Sequence, residues 1–229
     1  MICGFRTNPW NERPAECHPG LREPAGLLRV QGTILGGHPD RHVQRVTLET
    51  LCGPVAAYLK KEHRISWKTR FKNWWGGHGW VGQSVREGRL LRRARQAGLP
   101  APQVLAFGEC QGQGFLLLAE CPEALDLRDY LARHPGAVER RRLARALARV
   151  LARLHDQGFQ HPELFAKHVL VQPAHSSLGP ISLIDWQRAA CRGRSASWRE
   201  RCRDLAGLHA TLHFALADDR VRRTFLQAY

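Results

Sequence analysis

The chain has 229 residues, 43% hydrophobic and 24% charged, and carries 35 Lys and Arg against 20 Asp and Glu, a formal net charge of +15. These values exclude an acidic or intrinsically disordered chain, and the length suits one large domain or two coupled lobes with enough apolar content for a core. Only residues 60, 61, 68, 72 and 167 are Lys, so the basic excess is arginine. A bias of this size implies contact with phosphate, in nucleic acid, anionic lipid or a phosphorylated ligand, or reflects codon usage alone.

In chain order, residues 1–25 are rich in Pro, Gly and charge and are expected to form a loose lead-in. Short β-branched and apolar runs at 27–35, 43–51 and 55–60 predict three antiparallel strands. Residues 61–80 interleave Lys, Arg and His with Trp67, Phe71, Trp74, Trp75 and Trp80. That mixture suits the edge of an anionic membrane, or else an ordinary strand-to-helix loop with a Trp packed inward. A helix is predicted over 84–97, stopped by Gly98, with two further strands at 104–107 and 114–120. These elements make an N-lobe over 26–121.

From 122 to 229 the pattern turns helical. Asp126 is placed to cap a short helix reaching His134, and 137–157 is a long helix with Leu143, Leu147, Leu151 and Leu154 on one face and Arg on the other, read as solvated. Short strands are predicted at 169–172 and 181–185, and a helical tail from Arg203 with Leu205, Leu208, Leu212 and Leu216 along one stripe. The seven Cys include no C-x-x-C pair, which fits a reducing cytosol. Without a signal-peptide pattern or eighteen consecutive apolar residues, a soluble or peripheral protein is expected.

Strands with one helix, a hinge, then helices around a pair of short strands is the element order of a two-lobed α+β, protein-kinase-like fold. Phosphoryl transfer needs cations against the triphosphate, a carboxylate for magnesium and a group that takes the acceptor proton. Candidates occur in the required order. Lys60 closes the third predicted strand, Glu87 lies in the next helix, Glu163 follows the long helix with His168 five residues on, and Asp185 ends the last strand. Glycines 32, 36 and 37 lack G-x-G-x-x-G spacing, so ATP would be held chiefly by Lys60 and metal. The stretch after Asp185 is short for a peptide-docking platform, which favours a sugar or other small acceptor.

At these residues the chain resembles the bacterial lipopolysaccharide core sugar kinases, which phosphorylate heptose or Kdo. The resemblance runs through His161-Pro162-Glu163 with His168, Ile184-Asp185-Trp186-Gln187-Arg188, and Arg203-Asp204-Leu205-Ala206-Gly207-Leu208. It implies ATP and Mg2+ as cofactors, Lys60 on the ATP phosphates with Glu87 as its partner, and Glu163 as catalytic base. His168 and Asp185 would sit at the metal, and Asp204 would buttress the catalytic loop over 161–168. The implied partners are a lipid-linked core oligosaccharide acceptor and an anionic membrane surface, with a cytoplasmic location peripheral to the inner membrane and no nucleic acid. Glu163 stands where that family carries Asp, and Pro162 where it carries a basic residue. A catalytically impaired module that binds nucleotide or glycolipid is therefore the alternative.

Overall fold

The computed structural model describes residues 24–50, 53–133, 136–173 and 179–229. Most of the expected lead-in, and His134 at the end of the expected short helix, lie outside these residues. The chain divides into two compact units: the described residues up to Arg92 with Gln103–Glu120, and Arg93–Pro102 with Cys121–Tyr229.

The first unit is built on an antiparallel sheet in the order β1-β2-β3-β5-β4, with β1 Thr33–His38, β2 Arg41–Thr50, β3 Gly53–Glu62, β4 Val104–Cys110 and β5 Gln113–Ala119. Side chains alternate across β3, so Ala57 and Leu59 enter the core with Phe115, Leu117, Val46 and Leu27, while Lys60 takes the other face. Of the run expected as a first strand at 27–35, residues 27–29 belong instead to a helix, α1 (Pro24–Arg29), and 33–35 open β1. Pro24 suits a first helical position, and a short apolar run anchored by one buried Leu27 does not distinguish helix from strand by periodicity.

Two helices follow β3: α2 (Trp67–Trp75), inside the segment with a loop as one of its readings, and α3 (Gln83–Gln96). Glu62, buried at the end of β3, accepts from the backbone N–H of Ser84 at 3.1 Å and from its hydroxyl at 3.2 Å, filling donors that the first turn of α3 leaves open. Gly88 allows α3 to lie on β4, since a Cβ there would sit 2.5 Å from the Phe107 ring.

The second unit contains α4 (Leu127–Arg133), α5 (Ala137–Asp156), α6 (Trp198–Thr211) and α7 (Asp219–Ala228), with short strands β6 (Leu125–Asp126), β7 (Phe159–Gln160), β8 (Val169–Val171), β9 (Ile181–Leu183) and β10 (Ala190–Cys191). Asp126 caps α4 as expected, its carboxylate accepting from the N–H groups of Arg128 and Asp129 at 2.8 and 3.1 Å. The expected continuous tail helix is broken between α6 and α7, where Asp218 starts a new cap on Val221 N–H at 2.9 Å. On the Arg face of α5, Arg142, Arg145 and Arg149 are exposed, whereas Arg153 donates to the Ala97 carbonyl at 3.0 Å and Arg140 to that of Ala215 at 2.9 Å. An almost wholly apolar cavity of about 330 Å³ lies among α4, α5, α6 and α7, lined by Leu131, Leu143, Leu147, Leu208, Phe225 and their neighbours.

Candidate active site

Of two adjacent lysines on β3, alternation gives them opposite roles. Lys61 points into the core side and donates to the Val30 carbonyl at 2.6 Å, its ammonium held below the ordinary value by burial. Lys60 faces α3, where its Nζ lies 2.6 Å from Glu87 Oε1. The other carboxylate oxygen of Glu87 is taken by Arg41 at 2.7 Å. Burial alone would raise the Glu87 carboxyl, but Lys60 and Arg41 together hold it below the usual carboxylate range. Glu87 is 1% exposed and so can serve only as a fixed internal anion. What it fixes is the direction of Lys60, a cation suited to an anionic ligand. Arg41 was not among the expected site residues; finding it requires the β2–β3 register, which sets Arg41 opposite Glu62.

In the second unit, α5 is followed after Gln157 by Gly158, whose φ of +80° turns the chain into β7; a Cβ there would lie 2.3 Å from the Arg194 carbonyl. The loop after β7 is pinned at His161. Its N–H donates to Asp204 at 2.5 Å, and its ring Nε2–H donates to the Ile184 carbonyl at 3.0 Å. Burial lowers the His161 imidazole below its ordinary 6.5, so it is neutral at physiological pH and serves as a strut between the loop and the start of the Asp185 turn. Trp186 packs edge-on against that ring at 5.4 Å and is locked by its own indole N–H on the Leu183 carbonyl at 2.6 Å.

These struts hold Asp185 in the left-handed region, with φ 60° and ψ 61°. A non-glycine residue pays about 1 kcal/mol for that conformation, and here it turns the carboxylate towards His168. The His168 Nδ1 lies 2.7 Å from the Glu163 carbonyl oxygen, which can only accept, so Nδ1 carries the proton. The other ring nitrogen, Nε2, lies 3.6 Å from Asp185 Oδ2. The pair brings an imidazole nitrogen and a carboxylate oxygen together at the turn, and the carbonyl behind His168 fixes the orientation of its ring. Among the described residues no group of three or more His, Cys, Asp or Glu forms a metal cage.

The Glu163 carboxylate stands 3.9 Å from Arg188, a long pair with an exposed cation that contributes little. Its backbone, through the His168 bond, is fixed. The structure thus pairs Lys60 with Glu87 in the first unit and joins Glu163, His168 and Asp185 in the second.

Asp204 is brought to the loop by α6, whose first turn is a capping box of Ser197 and Glu200; the Ser197 backbone N–H and hydroxyl, with Arg194, hold the Glu200 carboxyl at about 2. Behind Asp204 lies a chain of bonds absent from the sequence expectations. His155 Nε2 faces Asp204 at 3.4 Å, and its Nδ1 lies 2.7 Å from the Tyr229 hydroxyl, so the phenol of the last residue donates to a histidine that donates to Asp204. A signal existed for His155: it sits on the apolar face of α5, beside Leu154 and Leu151.

Residues 28–229 match the lipopolysaccharide kinase (Kdo/WaaP) family. The lipopolysaccharide core heptose(I) kinase WaaP of Pseudomonas aeruginosa is 28% identical over 198 residues, covering 81% of this chain and 73% of that protein. A 3-deoxy-D-manno-octulosonic acid kinase of Xanthomonas oryzae is 33% identical over 73% of this chain and 61% of its own length, and one of Xylella fastidiosa is 33% identical over 56% and 49%. The chain thus spans about half to three-fifths of the Kdo kinases that it matches. A solved structure of WaaP in complex with acyl carrier protein superposes with a TM-score of 0.68 at 22% identity, covering 96% of this chain and 83% of that one, so the α+β, protein-kinase-like class expected from the sequence is the observed one. With the fold and the matched span in agreement, the chain belongs to the lipopolysaccharide kinase (Kdo/WaaP) family.

Proposed function

We propose that the protein transfers the γ-phosphoryl group of ATP to a hydroxyl of a heptose or Kdo sugar in a lipid-linked lipopolysaccharide core, as a peripheral protein on the cytoplasmic side of the inner membrane. The observation that carries this reading is the His168–Asp185 pair, 3.6 Å apart, with the His168 ring oriented by the Glu163 carbonyl. Magnesium bound there would neutralise charge developing on the phosphate oxygens. Lys60, directed by Glu87 and Arg41, takes the ATP phosphates. Glu163 accepts the proton of the sugar hydroxyl as its oxygen bonds to phosphorus and the bond from the γ-phosphorus to the ADP oxygen breaks. Mass profiling of core oligosaccharide from cells with and without the gene tests the reading: loss of one phosphate per core is expected on deletion, and an unchanged phosphate count would contradict it.

The apolar cavity of the second unit supports a further partner. The structural relative was solved with acyl carrier protein, and a cavity of about 330 Å³ with almost no polar lining suits an acyl chain. Acylated carrier is expected to bind the purified protein and unacylated carrier is not; equal binding of the two would rule out the cavity as the acyl site.

A further inference from the structure

Helix α2 has its amphipathic character reversed. Ser66 caps its start through the Thr69 N–H at 3.1 Å, and Gly76 N–H closes its end on the Lys72 carbonyl at 3.0 Å. At 3.6 residues per turn, Trp67, Phe71, Trp74 and Trp75 fall within an arc of about 100°. That arc faces outward, with exposures of 66, 46, 54 and 79%. The opposite side is the polar one and it is turned inward. Asn73 is buried and donates to the Val81 carbonyl at 2.8 Å, while Arg70 donates to the Trp80 carbonyl at 3.0 Å and pairs with Glu109 at 2.8 Å. A helix secured by its polar residues and presenting four aromatic rings to the outside is arranged for something other than its own core.

The chemistry of the outward face identifies the occupant. The aromatics are contiguous, Phe71 lying 5.9 Å from Trp74 and 6.2 Å from Trp75 between ring centroids. Exposed Lys68 and Lys72 follow directly on one flank of the arc. Indole rings with adjacent lysines match the boundary of an anionic bilayer, where the rings sit at headgroup level and the ammonium groups meet lipid phosphate. A platform for single-stranded nucleic acid would instead offer separated ring faces for successive bases. Here Phe71 tilts against Trp74 and Trp75 at 39° and 31°, so the rings form one contiguous cluster rather than a row of separate parallel faces.

We propose that α2 is a docking helix for anionic lipid, inserting Trp67, Phe71, Trp74 and Trp75 among the headgroups with Lys68 and Lys72 on lipid phosphate. The proposal deepens the membrane-surface reading above and rests on it. It is independent of phosphoryl transfer, because no α2 side chain is assigned to the chemistry.

Co-sedimentation with vesicles of phosphatidylcholine mixed with phosphatidylglycerol, against phosphatidylcholine alone, tests it. The wild-type protein should partition onto the mixed vesicles, and added salt should weaken that binding. Trp74→Ala with Trp75→Ala should lower partitioning about tenfold at every salt concentration. Lys68→Gln with Lys72→Gln should remove much of the salt dependence while the aromatic contribution remains. All four side chains are exposed, so melting temperatures should match the wild type. Equal binding to neutral and mixed vesicles, wild-type partitioning by the Trp pair variant, or a preference for single-stranded RNA over vesicles would overturn the proposal. Transfer to a delipidated, soluble core oligosaccharide, assayed in parallel, should be unchanged in the Trp variant, which separates failure of docking from failure of the kinase reading.

Discussion

Replacing Asp204 with Ala is expected to cost about 3–5 kcal/mol of stability, on the order of 10 °C in melting temperature for a chain of this size. The carboxylate is fully buried and accepts from His161 N–H at 2.5 Å, from Arg203 at 3.0 and 3.1 Å, and from His155 at 3.4 Å. Its removal strands the His161 and His155 donors in the interior, where neither can turn to water. Burial tends to raise the Asp204 carboxyl, yet His155, the His161 N–H and Arg203 hold it below the ordinary 3.8. As pH falls, the unfolded chain therefore takes up the proton first. The contribution is intact above about pH 4 and is lost below it. His161, kept neutral by burial, adds a loss in the same direction that begins near its ordinary 6.5, where the unfolded chain again binds the proton first. Urea or thermal melts across pH check both: the Asp204→Ala variant should be less stable at neutral pH and should depend less on pH in acid. A variant within about 1 kcal/mol of wild type at neutral pH would mean that Asp204 does not brace the loop.

Positions that depend on local periodicity are legible in the sequence alone. Lys60 lies on β3, Glu87 on α3 and Asp185 just beyond β9, because alternation and helical spacing fix those elements within a few residues. The bonds between them are less so. That Lys60 rather than Lys61 meets Glu87 depends on which face of β3 packs on the core. Arg41 joins the pair only through strand register, and Tyr229, His155 and Asp204 meet across 74 and 49 residues of chain. Helix α2 escapes because amphipathic reasoning assumes that apolar residues point inward, and here they point outward. The left-handed turn at Asp185 leaves no local mark either, since glycine is the usual sign of it.

The arginine excess also acquires a partial explanation. Guanidinium groups of Arg70, Arg89, Arg95, Arg140, Arg153 and Arg222 donate to backbone carbonyls of loops and helix ends. A guanidinium offers five donors in a fixed fork, so these residues satisfy carbonyls that would otherwise need water. Part of the arginine excess is thus structural, and the lysines of α2 are a separate, outward-facing group.

The second large effect is at Asp185. Its side chain is about a third exposed, so Asp185→Ala should leave the fold within about 1 kcal/mol of wild-type stability, the left-handed backbone costing Ala little more than it costs Asp. Activity should respond quite differently. If Asp185 and His168 hold the metal that spans the transferring phosphate, removing the carboxylate should lower transfer by about 10³-fold or more. The decisive measurement is transfer of labelled phosphate from ATP to purified core oligosaccharide, with magnesium, by the wild-type protein and by Asp185→Ala. Transfer by the wild type, reduced at least about 10³-fold in a variant of nearly unchanged melting temperature, is the expected result. Tight ATP binding by the wild type with no phosphate transferred would contradict kinase activity.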